Sequence, residues 1–188
     1  MSEHAVSFAP VEGTHVHTLI LGTMPGQASL NAVEYYAHPR NALWPILLAH
    51  VLQTPVSFES VTRLNYEKRC ALIKKHGIAL WDVLASCDRP GSLDSKIKRS
   101  TEVANDIAGL VARHAALERI ICNGRTAQVL FKRHIEPTLP RAVAMLDKPP
   151  HPKTSEAIRV FTLPSTSPAM ASLTLTEKYQ RWADGLLG

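Results

Sequence analysis

Cysteine is scarce in this chain: three among 188 residues, at positions 70, 87 and 122, never in a Cys-x-x-Cys pair. Such usage offers no disulfide framework and no zinc or iron–sulfur ligand set, and it fits thiols that stay reduced. The nine histidines compose no HExxH pattern, so neither a metal nor another cofactor is expected. Long apolar runs are missing too, none approaching the ~20 residues that span a bilayer. The amino-terminal "MSEHAVSFAPVEG" has neither the basic nor the apolar region of a signal peptide, which points to the cytoplasm. No GxGxxG or Walker loop is present, which leaves the nucleotide-phosphate reading weak.

What is present describes a globular protein. Hydrophobic residues make up 45% and charged residues 20%, which argues against disorder. No repeat or composition break divides the chain, so residues 1–188 are read as one domain able to bury a real core. A net charge of +5 suggests an anionic partner, although a soluble protein that happens to be basic explains it equally well.

Four short apolar, β-branched runs stand out: 15–22, 77–84, 118–124 and 158–165. Helix-like segments separate them, starting near Trp44, at 65–77, 100–117, 125–135 and 174–187. Strands alternating with helices predict an α/β fold, a three-layer α/β/α sandwich around a short, mainly parallel four-stranded sheet. The Pro- and Lys-rich stretch 146–157 reads as a surface loop. Ligands of such sheets sit beyond the carboxyl ends of the strands, and there the unusual polar residues gather: Thr23-Met24-Pro25-Gly26, Asp82, Asn123-Gly124 and Pro164-Ser165-Thr166-Ser167-Pro168.

Each of these has an ordinary explanation and a functional one. Tyr36 either packs on the sheet edge or offers a stacking face to an unstacked base. Asn41 either caps the helix that follows or orients a water, since an amide both donates and accepts. Asp82 ends an apolar strand and needs a partner there. Either a salt bridge supplies it, or a ligand N–H such as the imino group of uracil and hypoxanthine does. "CDRPGSLDSKIKRS" (87–100) combines hydroxyls, including Ser95, with Lys98 and Arg99, and "LPSTSPAMASLT" (163–174) is a stiffened loop with Ser165 and Ser167. Both suit DNA phosphates as well as they suit solvated loops.

Taken in order, "GTMPG…YYAHPRNALW", "ALWDVLASCDRPGSLDSKI", "ICNGRTA" and "LPSTSPA" at successive strand ends resemble the uracil-DNA glycosylase superfamily. The likeness covers about residues 17–183 and is nearest to the hypoxanthine branch, with kinship to mismatch-specific uracil glycosylases. It implies a DNA repair enzyme, working near the nucleoid as a monomer, that flips a deaminated base out of DNA and hydrolyses its N-glycosidic bond. Two departures stand out: Met24 and Leu163 occupy positions where many relatives carry a catalytic Asp or Asn and a His or Asn. By the same resemblance Asn41 becomes the catalytic residue, Tyr36, Asp82, Asn123, Met24 and Gly26 the base-binding ones, and Ser95, Lys98, Arg99, Ser165 and Ser167 the phosphate-binding ones. Gly26 leaves space that a bulky aromatic, found in some uracil-specific relatives, would fill. The rival expectations are a damaged-DNA-binding member of the fold with weak or no hydrolysis, and an unrelated phosphohydrolase.

Overall fold

The computed structural model describes residues 4–140, 142–147 and 157–187. In chain order the strands are β1 (His4–Val6), β2 (Thr18–Gly22), β3 (Ile78–Asp82), β4 (Leu84–Asp88), β5 (Val103–Ala104), β6 (Arg119–Asn123), β7 (Val143–Leu146) and β8 (Ile158–Leu163). The helices are α1 (Gln27–Ala32), α2 (Leu43–Leu52), α3 (Glu59–Thr62), α4 (Tyr66–Lys75), α5 (Ile107–Arg113), α6 (Arg125–Leu130) and α7 (Leu175–Leu187).

The central sheet has the order β3-β2-β6-β8-β7 and every pairing in it is parallel. Strands buried on both faces read as unbroken apolar runs, and β2 and β3 are buried along their full length. The sheet therefore has five strands where four are predicted. The fifth, β7, is a half-buried edge strand whose short "VAML" gives little periodic signal. Residues 148–156 of the predicted surface loop 146–157 lie outside the described residues.

β3 follows β2 in sequence and pairs on one side of it, while β6 pairs on the other. The strand order thus reverses at β2, and the crevice above its carboxyl end is where such sheets take ligands. A second, antiparallel sheet of order β1-β4-β5 continues from β3 through Val83. It carries the residues after Asp82 away from the central sheet and brings Ser7 back against it.

α2 is buried along most of its length, from Leu43 through Ala49, with Pro45 in the first turn, where its missing N–H is harmless. Trp44 Nε1 donates to Tyr35 O at 2.8 Å, and Trp182 Nε1 of α7 donates to Pro164 O at 2.9 Å. Both tryptophans, almost fully buried, thereby pin the two loops that border the crevice.

The predicted helix 100–117 is mostly something else. Residues Arg99–Thr101 form a 3₁₀ turn, Val103–Ala104 pair with β4, and only Ile107–Arg113 is α-helical. Asp106 caps α5 by accepting from Gly109 N at 2.9 Å. Asn105 Nδ2 donates to the carbonyls of Asp82 and Leu84. These local bonds outcompete the helix. In the expected loop between β2 and α2, residues Gln27–Ala32 form a short helix.

The sequence does hold one His-x-His pair, His15 and His17, at the amino-terminal end of β2, opposite the crevice. Among the described residues no group of three His, Cys, Asp or Glu is disposed to hold a metal. No described helix is long and apolar enough to cross a membrane.

Candidate active site

A cavity of about 420 Å³ opens at the carboxyl ends of β2, β3, β6 and β8. Asn41, Tyr36, Asp82, Asn123, Met24, Gly26, Ser165 and Ser167 all line it. Ser95, Lys98 and Arg99 do not: they are exposed on the 3₁₀ turns and connection that follow the rim. From that loop it is Ser92, Leu93 and Asp94 that face the cavity. A second, more open depression of about 610 Å³ lies beyond the 163–170 loop and carries Arg125 and Arg181. None of Tyr36, Asn41 and Asp82 reaches it, so the chemistry belongs to the smaller cavity. Leu163 borders this outer depression and packs toward Gly185 of α7, not onto the cavity wall.

Asp82 forms the floor. It is 3% exposed, and burial pushes its carboxyl from the ordinary 3.8 to about 7. Asp94 pushes the same way, while the Ser7 hydroxyl and the Arg89 guanidinium oppose. Ser7 Oγ donates to Oδ2 at 2.9 Å; no donor among the described residues is recorded for Oδ1. Gly22 makes this approach possible: a Cβ there would lie 2.3 Å from Asp82 Oδ1 and 2.7 Å from the Tyr36 hydroxyl.

Tyr36 adopts φ 56°, a left-handed conformation that disfavours a bulky side chain. The loop holds it there through Ser29 Oγ accepting from Ala37 N, the Tyr66 hydroxyl accepting from Tyr35 N, and the Trp44 bond to Tyr35 O. Its hydroxyl is buried with no hydrogen bond among the described residues, although Asn123 is close enough to act on it. Burial first, then the charge of Asp82, keep it protonated. A buried donor without a protein acceptor is available to a ligand.

Asn41 takes up its ordinary role. Its Oδ1 accepts from Leu43 N at 2.9 Å and so caps α2. The amide N–H groups and one lone pair are left to the cavity. Asn123 is similarly engaged: Nδ2 donates to Thr166 Oγ1 at 2.8 Å and Oδ1 accepts from Thr166 N at 2.9 Å. Thr166 O in turn accepts from Ala42 N, so this buried threonine joins β6, the 163–170 loop and the start of α2. Gly124, at φ 95°, has no room for a Cβ, which would come within 2.9 Å of Ser165. Ser165 Oγ accepts from Ser167 N and Ser167 Oγ from Ala169 N, which gives the loop its stiffness. Gly26 is roomier, a Cβ meeting only Ser92 at 3.6 Å.

Sequence reasoning missed Ser7, Arg89, Asp94 and Thr166. Arg89, 1% exposed, is the buried cation beneath the rim. Its Nη2 donates to Pro25 O and its Nε to Gly91 O, and its Nη1 lies 3.6 Å from Asp94 Oδ1. An arginine inside the turn-rich "SCDRPG" is the signal that could have drawn attention to it.

The sequence and fold match those of known proteins. The model of the family described as "Uracil DNA glycosylase superfamily" matches residues 10–184. A hypoxanthine DNA glycosylase of Methanosarcina acetivorans is 36% identical over 120 residues, 64% of this chain and 71% of that protein. One from Methanosarcina barkeri is 33% identical over 118 residues, 63% and 70% of the two chains. A solution NMR structure of a Methanosarcina acetivorans protein described as a candidate uracil DNA glycosylase superposes with a TM-score of 0.71. It is 26% identical, and the match covers 99% of this chain and 100% of that one.

Proposed function

Because this chain belongs to the uracil DNA glycosylase superfamily, we propose that it excises a deaminated base, uracil or hypoxanthine, from DNA by hydrolysing the N-glycosidic bond. The observation that carries this reading is the cavity floor, where the buried Asp82 carboxyl and the unpartnered Tyr36 hydroxyl converge over Gly22. Uracil and hypoxanthine each present an imino N–H beside a carbonyl. Cytosine and adenine present an acceptor nitrogen in its place, which a carboxylate repels. Ionised Asp82 accepts the imino N–H through Oδ1, and the Tyr36 hydroxyl donates to the neighbouring base oxygen.

The bond breaks toward a cationic, oxocarbenium-like sugar, and negative charge gathers on the departing base. Met24 brings no proton-transfer group to the cavity and Leu163 faces elsewhere, so the Tyr36 hydroxyl is the side-chain donor placed for that charge. Preorganised donors of this kind stabilise the transition state without rearranging. The Asn41 amide holds the attacking water. Ser165 and Ser167 on the stiff loop, with Ser95, Lys98 and Arg99 beyond the rim, grip phosphates. The bare Gly26 position adds no side chain to the cavity, which supports a larger base such as hypoxanthine among the substrates.

Duplexes carrying uracil, hypoxanthine, xanthine or mismatched thymine at one position, treated with alkali after incubation, test the reading and rank the bases. Strand breaks at uracil or hypoxanthine are expected. Tight binding with no abasic product would instead favour a damage-binding protein, the reading that Met24 motivates.

A further inference from the structure

We infer that Asp94 is a second catalytic residue, a carboxylate that faces the sugar of the flipped nucleotide and accepts the proton of the attacking water. The inference rests on the glycosylase reading and adds a group to it.

Two carboxylates line the cavity, and they differ in exposure. Asp82 is 3% exposed, whereas the Asp94 side chain is 34% exposed. A base that reaches Asp82 and the Tyr36 hydroxyl leaves its sugar at the more open level, beside Asp94. The anion is then next to the atom that becomes cationic.

Asp94 is also held in place. It begins the 3₁₀ turn Asp94–Lys96. The Thr23 side chain is close enough to act on its carboxyl, and the Arg89 guanidinium stands close by. Arg89 grips Pro25 O on the far side, so the carboxyl is fixed against the turn Thr23-Met24-Pro25. Met24 contributes no acid or base at that turn, and Asp94 supplies one from the opposite loop. At 3.6 Å the contact with Arg89 is looser than a hydrogen bond, and Nη1 makes none among the described residues. The carboxylate is therefore oriented without being fully neutralised.

The reaction needs such a group. The C1′–N bond breaks with its electron pair going to the base, and the water oxygen bonds to C1′. The water proton must leave, and the base anion takes one from solvent on release. An amide cannot accept that proton, and Asn41 Oδ1 already caps α2. Asp94 can take it and pass it to solvent. Burial holds its carboxyl above the usual carboxylate range, with Thr23 and Arg89 opposing, and a raised basicity suits a proton acceptor.

Asp94→Asn tests this, because asparagine keeps the shape and an acceptor oxygen and lacks only the charge and the basicity. Single-turnover excision from uracil- and hypoxanthine-containing duplexes is measured against pH. Affinity for a duplex with an uncleavable 2′-fluoro nucleotide is measured alongside, together with thermal stability. The expected result is a rate lower by ~100-fold, the scale of a lost general base, with binding and melting little changed. One ionisation should disappear from the acid side of the rate profile, and Asp94→Glu should recover part of the rate. A variant within about threefold of the unaltered enzyme, or one whose loss matches an equal loss of binding or stability, would overturn the inference. If the unaltered enzyme cleaves neither duplex, the glycosylase reading fails and this inference with it. Cleavage by the unaltered enzyme and by Asp94→Asn alike removes Asp94 alone.

Discussion

Replacing Asp82 by asparagine should make the protein more stable and a worse enzyme, and pH should separate the two effects. A carboxyl with folded pKa about 7 and ordinary value 3.8 binds its proton more tightly folded than unfolded. Stability from this group is therefore complete below about pH 4, and it is lost as pH rises through about 7. Each pKa unit corresponds to ~1.4 kcal/mol, so ionised Asp82 destabilises the fold by on the order of 4 kcal/mol above neutrality. Asparagine is not charged at any of these pH values. Its Oδ1 can still accept from Ser7 Oγ, which now reaches Oδ2 at 2.9 Å, and its N–H groups face the partnerless Tyr36 hydroxyl.

Urea unfolding of both proteins from pH 4 to pH 9 is the assay. At pH 8 the variant should be the more stable by ~2–4 kcal/mol, and the gap should close as pH falls toward 4. Excision should fall roughly ten- to hundredfold, the worth of a charge-assisted hydrogen bond of ~1.5–3 kcal/mol. The unaltered enzyme's rate should itself rise through about pH 7, as Asp82 gains the charge that reads the imino N–H. A stability gap that does not change with pH, or a variant less stable at pH 8, would show that Asp82 is a structural partner and refute the reasoning.

Substitutions at Tyr36, at Asn41 and at Lys98 with Arg99 probe the remaining roles. Tyr36→Phe removes a buried hydroxyl that has no partner, so melting temperature should rise or hold while single-turnover excision drops about tenfold or more; an unchanged rate would leave only stacking. Asn41→Ala should lose ~0.5–2 kcal/mol of stability with the α2 cap. It should also slow excision at least ~tenfold, on the scale of a lost positioning group, whereas Asn41→Asp should keep the cap and change the rate's pH dependence; normal cleavage by both variants would place the water elsewhere. Alanine at Lys98 and Arg99 together should weaken binding to damaged and undamaged DNA alike and lower the salt slope by ~1 per contact removed, and a loss confined to one damaged base would contradict a phosphate role.

The parts of the fold readable in the sequence were those set by local pattern. The doubly buried strands β2, β3, β6 and β8 announced themselves as apolar runs, and the polar residues at their carboxyl ends marked the cavity. Contacts between distant segments were not readable. Ser7 bonds Asp82 from 75 positions away, and nothing in "VSFAP" suggests it. Thr166 looked like one hydroxyl among several until its pair of bonds with Asn123 and its bond to Ala42 appeared. Asp94 does not stand out in the sequence because its loop reads as a solvated basic stretch, and only folding turns it inward while Ser95, Lys98 and Arg99 stay outside. The helix predicted over 100–117 failed for the same kind of reason: two residues of edge pairing and an Asn105–Asp106 capping pair decided the local structure.

The strained positions of this molecule coincide with its candidate chemistry. Tyr36 has an unfavourable backbone conformation and an unsatisfied hydroxyl, and Asp82 buries a carboxyl. Gly22 is confined by the space these two need above it. Left-handed backbone at a bulky residue costs of order 1–3 kcal/mol, and the other two features add to it, so the floor persists only because its surroundings over-determine it. Those surroundings can be named: Ser29, Tyr66 and Trp44 around Tyr36, and Ser7 and Asn105 around Asp82. None of these five contacts would be needed to hold a simple loop over the end of a sheet. Packing alone would be better served by an apolar residue at 82 and a glycine at 36. A floor that keeps a carboxyl and a hydroxyl converging over a bare glycine is organised for a ligand that supplies their missing partners, and an imino N–H beside a carbonyl does so.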